Sequence, residues 1–470
     1  MITNFKVIIV GGGPVGLITA HCLSKANIDY EILERMPDTA LNTGASLALW
    51  PQAVRVFDQL GLLQAVNKIH YPTKNKDNLL ADGTLLSRND LYSQIETEYV
   101  SQQTLTNSQP YTDYPPPLTK HGHPWMFLHR GQLLDLLVEH LPNKKTHIYF
   151  NKHVTSISTH DRGIKVTCVD GTTHHASIII GADGINSTVR QLLHDSLPTP
   201  PPPNPITTSY IGIFGSCEPL PDLEPSTFYE THSNQFSIQL GSHHSRTFFF
   251  IYHRLAKSTR ERRHFTEKEK EELVARIANV HVTGTYKFKD VWGSSLWSHM
   301  AHLEEGLVDT WHGAGGRVVL VGDAVHKMMP NAGLGFNSGV MSAVALTNVL
   351  RGALLQGGGD GSKVGSKALE AAFEGYQNLR KPQAKKMIDL SGLYARVVAW
   401  DNPVWKLADR YIMPHVNGDI VLLKLLLSGL VQDGVVLDFV GENNFKEGKV
   451  KWANPRVFWN NSETQSEEGG

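Results

Sequence analysis

Val7-Ile8-Ile9-Val10-Gly11-Gly12-Gly13-Pro14-Val15-Gly16 is the stretch that decides the fold. Four apolar residues, a glycine run and a renewed apolar period read as a buried strand, a tight turn and the start of a helix. Glycines at 11, 13 and 16 allow the backbone to turn sharply and to approach a pyrophosphate. The helix N-terminus behind them offers free N–H groups and the positive end of its dipole to that anion. Glu34 closes the next strand, Tyr30-Glu31-Ile32-Leu33, where a carboxylate can accept hydrogen bonds from a ribose diol. Strand, turn, helix and acid in register point to a dinucleotide. They do not say which one, because NAD and FAD share this solution.

The same run, Phe5 to Leu17, reads as a buried strand and turn rather than a secretory leader: Gly11-Gly12-Gly13-Pro14 breaks it, and it lacks a charged start and a small-residue cleavage site. Composition narrows the class further. The chain has 470 residues, 41% hydrophobic and 19% charged, which suits a globular protein of more than one lobe. Its 44 basic residues against 45 acidic give a net charge of −1, so no global field attracts nucleic acid. Cys22, Cys168 and Cys217 are scattered and odd in number, without disulfide or metal spacing, which makes a reducing cytoplasmic compartment the default. Twenty-three histidines invite a metal reading, but His174-His175 and His243-His244 are adjacent pairs without helical ligand spacing, so no metal is expected.

Along the chain, the first ~75 residues alternate β-α-β and then helix, the pattern of a parallel-sheet fold. A polar excursion runs from Asp77 to Pro117, and a helix from about Arg130 to His140. Asp170-Gly171 marks a hairpin turn, and proline-rich Leu197 to Pro205 a rigid crossing to a second lobe. From Ser209 to Trp297 aromatic and β-branched runs such as Phe248-Phe249-Phe250-Ile251-Tyr252 predict an antiparallel sheet with one face open to a ligand. Arg317–Val321 returns to a short strand, a long helix follows from about Asn337 to Leu355, and the remainder reads as helical to about Val440. Ile420 to Val440 is apolar but carries Lys424, Gln432, Asp433 and Asp438. It reads as an amphipathic helix packed on the body, with a weak membrane contact through the C-terminal helices as the alternative.

Two later segments separate NAD from FAD. Gly181-Ala182-Asp183-Gly184-Ile185-Asn186-Ser187-Thr188-Val189-Arg190 resembles the Asp-Gly fingerprint of group A FAD-dependent monooxygenases of the aromatic-hydroxylase type. Arg317-Val318-Val319-Leu320-Val321-Gly322-Asp323-Ala324, continuing to Pro330 and Gly333-Leu334-Gly335-Phe336-Asn337, resembles their Gly-Asp fingerprint. Glu34-Arg35 and Leu128-His129-Arg130 add matches in family order. The Val325-His326-Lys327-Met328 wording and Gly44-Ala45-Ser46-Leu47-Ala48-Leu49-Trp50-Pro51 look closest to fungal epoxidases and hydroxylases of meroterpenoid, indole-diterpene and related pathways.

The resemblance implies an α/β chain with a discontinuous Rossmann-type FAD-binding domain of the GR2-like, PHBH fold (1–75, 118–196 and 310–356). It implies an antiparallel β-sheet substrate domain (76–117 and 197–309) and C-terminal helices (365–450), while the polar C-terminus (451–470) is expected to be a disordered tail. By similarity Gly11, Gly13, Gly16, Glu34, Arg35, Ala48, Arg130, Asp183, Asp323, Gly335, Phe336 and Asn337 hold FAD. Relatives often carry a small residue at the Phe336 position, so this ring is expected to narrow flavin movement or to shape the substrate pocket. NADPH or NADH is expected to bind transiently, since no second glycine motif exists. Reduced flavin and O2 are expected to give a C4a-hydroperoxide that transfers oxygen to an apolar substrate behind a dry, aromatic wall. Arg190 and Tyr210 match an arginine and, loosely, a tyrosine implicated near the substrate, where Arg190 could stabilise developing oxyanion charge.

Plainer roles compete. Asp183 and Asp323 could cap turns, Arg130 and Arg190 could be ordinary helix residues, and His326 reads as packed rather than basic. A flavin oxidase or dehydrogenase without oxygen insertion, or a non-redox binding module of the same fold, are the rival functions. The sequence leaves oligomeric state open.

Overall fold

A computed structural model describes residues 2–38, 45–96, 121–160, 163–197, 205–446, 448 and 450–457. Six strands form the nucleotide-type sheet, in the spatial order His312–Gly313, Val318–Leu320, Ile178–Gly181, Lys6–Val10, Asp29–Leu33, Ile148–Tyr149. All neighbours are parallel except the outermost pair, His312–Gly313 with Val318–Leu320. Val7, Ile8, Ile9, Ile178, Ile179, Ile180 and Val319 have no exposed surface, as expected of parallel strands covered on both faces.

Register then assembles three distant segments. Val10 pairs with Leu33 on one side and Gly181 on the other, and Gly181 pairs with Leu320. The loops beginning at Gly11, Ala182 and Val321 therefore leave the same sheet edge side by side. The helices Pro14–Lys25 and Gly335–Gln356 follow two of them.

The second sheet has eight strands, in the order His326–Lys327, Ser295–Leu307, Thr207–Cys217, Arg246–Thr259, Phe236–His243, Thr227–Ser233, Asn75–Leu80, Leu85–Asn89. The expected all-antiparallel sheet is corrected at one pair, Thr227–Ser233 with Asn75–Leu80, which is parallel. That strand arrives from the first third of the chain rather than through a hairpin. The polar excursion after Asp77 is thus partly sheet, followed by the helix Leu91–Glu96; residues 97–120 lie outside the described residues, as do 198–204 of the proline-rich crossing. Phe248, Phe250 and Tyr252 join one apolar cluster while Phe249 and Ile251 join another, the period-2 alternation of a strand covered on both faces.

The helix Ser366–Val398 runs back across the second sheet, and two short helical runs, 403–416 and 418–432, meet at a 90° bend. Helix ends at Gln432, not near residue 450. From there an irregular segment returns to the helix Pro51–Leu60, tied by a fully buried Arg55–Glu442 ion pair of 2.7 Å and by Gln59 Nε2 donating to the carbonyls of Leu437 (2.8 Å) and Val440 (2.5 Å). The expectation of a free tail from residue 451 is corrected as well. Trp452 is buried, 4.5 Å below the Arg55 guanidinium, and Arg55 Nη1 donates to the Asn454 carbonyl at 2.9 Å. The guanidinium needs partners once it is desolvated, and this segment supplies them. Residues 458–470 lie outside the described residues.

Candidate active site

A groove of about 520 Å³ opens along the shared sheet edge. Gly11, Gly13, Glu34, Arg35, Ala48, Arg130, Asp183, Asp323, Gly335 and Phe336 all line it, so ten of the twelve residues assigned to the cofactor converge in space. The glycines divide by task. Gly11 has φ +109°, and a Cβ there would meet the Ala182 carbonyl oxygen at 2.5 Å. A Cβ on Gly16 would meet the Gly11 oxygen at 1.9 Å, so Gly16 serves turn–helix packing behind the groove. Gly13 faces open space, which leaves its backbone approachable by a ligand.

The acids are held. Glu34 accepts from the Gly12 and Met36 amides at 2.5 and 2.8 Å. Asp183 accepts from the Ser187 hydroxyl at 2.5 Å and the Val189 amide at 3.0 Å, so it does cap the following helix as well as line the groove. Burial raises its carboxyl above the usual range, against those hydrogen bonds. Asp323 sits in the short turn Gly322–Ala324 paired to Lys327. Burial lowers the Arg130 guanidinium, and nearby Asp323 offsets part of that.

Asn337 is fully buried and touches the strand rather than the groove. Its Oδ1 accepts from the Trp50 amide (2.8 Å), and its Nδ2 donates to the carbonyls of Ala48 (2.9 Å) and Gly333 (2.7 Å). It pins the strand Ser46–Leu49 to the Pro330–Gly333 turn, a positioning role. Phe336 lines the groove and sets its ring edge-on to Phe57, centroids 6.5 Å apart. It does not line the substrate-side cavity, so the pocket-shaping alternative does not hold.

A second cavity of about 510 Å³ has a wall of Trp50, Trp125, Phe127, Phe214, Phe228 and Phe250. Leu390, Leu393, Tyr394 and Val397 from the long helix roof it, with Trp405, Met413, Leu422 and Leu427 beyond. The two cavities share Ser46, Leu47, Ala48, Arg130, Pro330 and Gly333. The groove thus runs end-on into an aromatic chamber.

The two residues assigned to catalysis are not in that chamber's lining. The Arg190 guanidinium donates to the carbonyls of Ala324 and Ile185, both at 2.7 Å, bracing the Asp-Gly segment against the Gly-Asp turn. Tyr210 is fully buried and donates to Asp401 Oδ1 at 2.7 Å, which Arg254 also holds at 2.6 Å. Burial, then Asp401, pushes its phenol far up, so it stays protonated. The placement beside substrate is therefore corrected for both: their polar atoms are spent on neighbouring elements. His326 is neutral, lowered to about 4 by burial, and faces Ser342 at 3.2 Å, as its packed reading required.

Missing from the sequence reading was a buried polar cluster at the chamber's far side. Lys76 Nζ lies 2.8 Å from Glu230, 2.9 Å from Asp419 and 2.7 Å from the Tyr394 hydroxyl. Tyr394 donates to Glu230; Gln239 donates to Glu230 (2.9 Å) and to the Asn331 carbonyl (3.0 Å). Burial opposes every one of these charges, yet mutual attraction wins: Lys76 is held well above its usual range, and Glu230 and Asp419 below theirs. The one available signal was Glu230, set between Tyr229 and Thr231 in a strand-forming run, whereas Lys76 stands among Asn75, Asp77 and Asn78, a polar stretch that reads as solvent-facing.

A family model described as "FAD binding domain" matches residues 4–391. The chain belongs to the FAD-dependent monooxygenases. Among similar proteins, the FAD-dependent monooxygenase srdH of Neurospora crassa is 33% identical, covering 96% of this chain and 99% of its own. The FAD-dependent monooxygenase penE of Penicillium thymicola is 31% identical over 96% of this chain and 90% of its own. Among solved structures, Klebsiella pneumoniae HpxO complexed with FAD and uric acid aligns with a TM-score of 0.69 at 17% identity, covering 91% of this chain and 98% of that one. FqzB aligns with a TM-score of 0.65 at 18% identity, covering 92% and 94%. These last two show a common fold.

The groove's own chemistry fits FAD. Neither helix N-terminus that reaches it, at Gly13 nor at Leu334, carries a side-chain cap or an acidic first turn, so their amides are free for an anion. The second dipole favours negative charge near Gly335 by roughly 0.3–1 kcal/mol, more where solvent is excluded.

Proposed function

We propose that the chain epoxidises or hydroxylates an apolar terpenoid, prenylated or aromatic natural product in fungal secondary metabolism, with NADPH or NADH as reductant. One observation carries the reading: the nucleotide groove and the aromatic chamber share the walls at Ala48, Arg130, Pro330 and Gly333. When bound, FAD supplies hydride acceptance and activation of O2. The chain supplies the rest. Gly13 and the free amides of two helices would hold the phosphates and the flavin end. Asn337 fixes the strand Ser46–Leu49 against the turn Pro330–Gly333, which would border the flavin end where groove and chamber meet. The aromatic wall receives an apolar body and keeps water from the reacting atoms. The buried, unpaired Cys22, Cys168 and Cys217 support a cytoplasmic, reducing setting.

The test is to reduce FAD-bound protein anaerobically with NADPH in the presence of candidate polycyclic and prenylated substrates, then admit isotope-labelled O2. Mass analysis should find one labelled oxygen in the product. A flavin that substrate alone reduces anaerobically, without NADPH, giving unlabelled oxidised product and, once O2 is admitted, hydrogen peroxide in equal amount, would establish the oxidase reading instead.

A further inference from the structure

The bent pair formed by residues 403–416 and 418–432 is apolar on two sides. Its inner side closes the chamber with Trp405, Met413, Leu422 and Leu427. Its outer side exposes Leu407 (59%), Tyr411 (59%), Ile412 (57%), Val416 (47%), Leu425 (75%) and Leu426 (41%). Elsewhere among the described residues, exposed large apolar side chains fall one to an element, as with Leu85, Leu296, Leu355 and Leu379. A cluster of this kind marks an interaction face.

The charges on the pair are sorted. Its acids turn inward: Asp409 accepts from His232 and Trp400, both at 2.7 Å, and Asp419 accepts from Lys76, Asn78 and Asn89. The pair's other charges are all cationic: Lys424 is exposed, while half-buried Lys406 and Arg410 lie over the Trp400 and Tyr411 rings, Lys406 Nζ also donating to Asn234 Oδ1 at 3.1 Å. Apolar bulk rimmed by basic groups matches the boundary of an anionic bilayer, where lysine stems lie along the acyl surface and the ammonium reaches the headgroups. A protein–protein interface would instead be depleted in lysine. Each arm is shorter than the roughly 20 residues a spanning helix needs, and the arms meet at 90°.

We propose that this bent pair lies in the surface layer of an anionic lipid bilayer and that the chamber behind it draws its apolar substrate from the bilayer. The second half rests on the function proposed above; the docking itself does not. Because the same short helices touch lipid outside and chamber inside, small displacements of them open a path that never crosses water.

Sedimentation of FAD-bound, full-length protein with phosphatidylcholine vesicles, with and without phosphatidylserine, tests the docking. The wild-type protein should pellet with the phosphatidylserine vesicles and bind them roughly tenfold or more tightly than phosphatidylcholine alone. Ile412→Glu with Leu425→Glu should abolish pelleting while flavin absorbance and melting temperature stay unchanged. Lys406→Glu with Lys424→Glu should remove only the preference for anionic lipid. Protein that stays in the supernatant with both vesicle types overturns the proposal, and so does pelleting that survives Ile412→Glu with Leu425→Glu. A dimer in light scattering that the same substitutions dissociate, without vesicle binding, assigns the face to a second copy of the chain and overturns it too. Binding is read with oxidised protein and no substrate, so docking and oxygen insertion succeed or fail independently.

Discussion

The groove and the chamber that meet at Ala48 are built by opposite means. The groove is made mostly of backbone: three loops leave adjacent parallel strands whose ends are in register at Val10, Gly181 and Leu320, and glycine opens the space. The chamber is made of side chains drawn from a strand at residue 127, another at 250, a turn at 331 and a helix at 394. Backbone geometry is dictated locally, by φ and by missing Cβ atoms. Side-chain assembly depends on which distant surfaces pack together. Damage to the groove should therefore be absolute, and damage to the chamber graded.

Gly16→Val gives the largest effect. Its Cβ would lie 1.9 Å from the Gly11 oxygen, and both partners belong to one rigid turn, so neither can yield. We expect no soluble FAD-bound protein, checked by flavin absorbance of the purified chain. Phe228→Leu in the chamber wall should in contrast leave the flavin spectrum intact and change only ligand affinity. A yellow, stable Gly16→Val protein would break the distinction.

Next comes the polar cluster that clamps the chamber's roof. Lys76→Met leaves Glu230 and Asp419 buried without their cation and should cost about 3–5 kcal/mol, read from thermal melts of the FAD-bound protein. Adding Glu230→Gln and Asp419→Asn should recover most of it, because the charges that made the loss are then gone. The same cluster gives a pH signature. Burial pulls His232 down, but Asp409 at 2.7 Å and Glu230 at 3.8 Å outweigh it and raise the ring from 6.5 to about 10. A raised folded-state value means that its contribution is complete below pH 6.5 and is lost as pH climbs through about 10. Melting temperature should fall across that window in the wild type and stay flatter in His232→Gln.

This division also explains what could be read from the chain in advance. Gly11, Gly13, Glu34, Asp183 and Asp323 were legible because each sits at a fixed offset from an apolar strand, and parallel pairing then brings the strand ends together without further information. The chamber's aromatic wall was legible only as a class, through the run Phe248–Tyr252. Lys76 and Glu230 were not, because a charge on a strand reads as solvent-facing until a carboxylate from residue 419 is folded over it. The packing of residues 433–446 and 450–457 was missed for a similar reason: nothing local around Glu442 or Trp452 announces that Arg55 lies buried and in need of a carboxylate.

Arg190 is the residue on which the two regions are easiest to confuse. It ends a motif of the groove, and resemblance assigned it to the substrate, but its guanidinium is bound to the Ala324 and Ile185 carbonyls at 2.7 Å. Arg190→Met keeps the aliphatic stem and removes both donors, leaving two carbonyls in a partly buried joint short of partners. That should cost about 1–3 kcal/mol in thermal stability, the smallest effect of the series, and weaken FAD retention modestly by loosening the Asp323 turn. NADPH-dependent oxygen uptake per bound FAD should remain near the wild-type value, since no polar atom has been taken from the chamber. A folded, FAD-saturated Arg190→Met protein whose turnover collapses would return the side chain to the substrate, and would mean that the chamber's chemistry extends through the very turn that builds the groove.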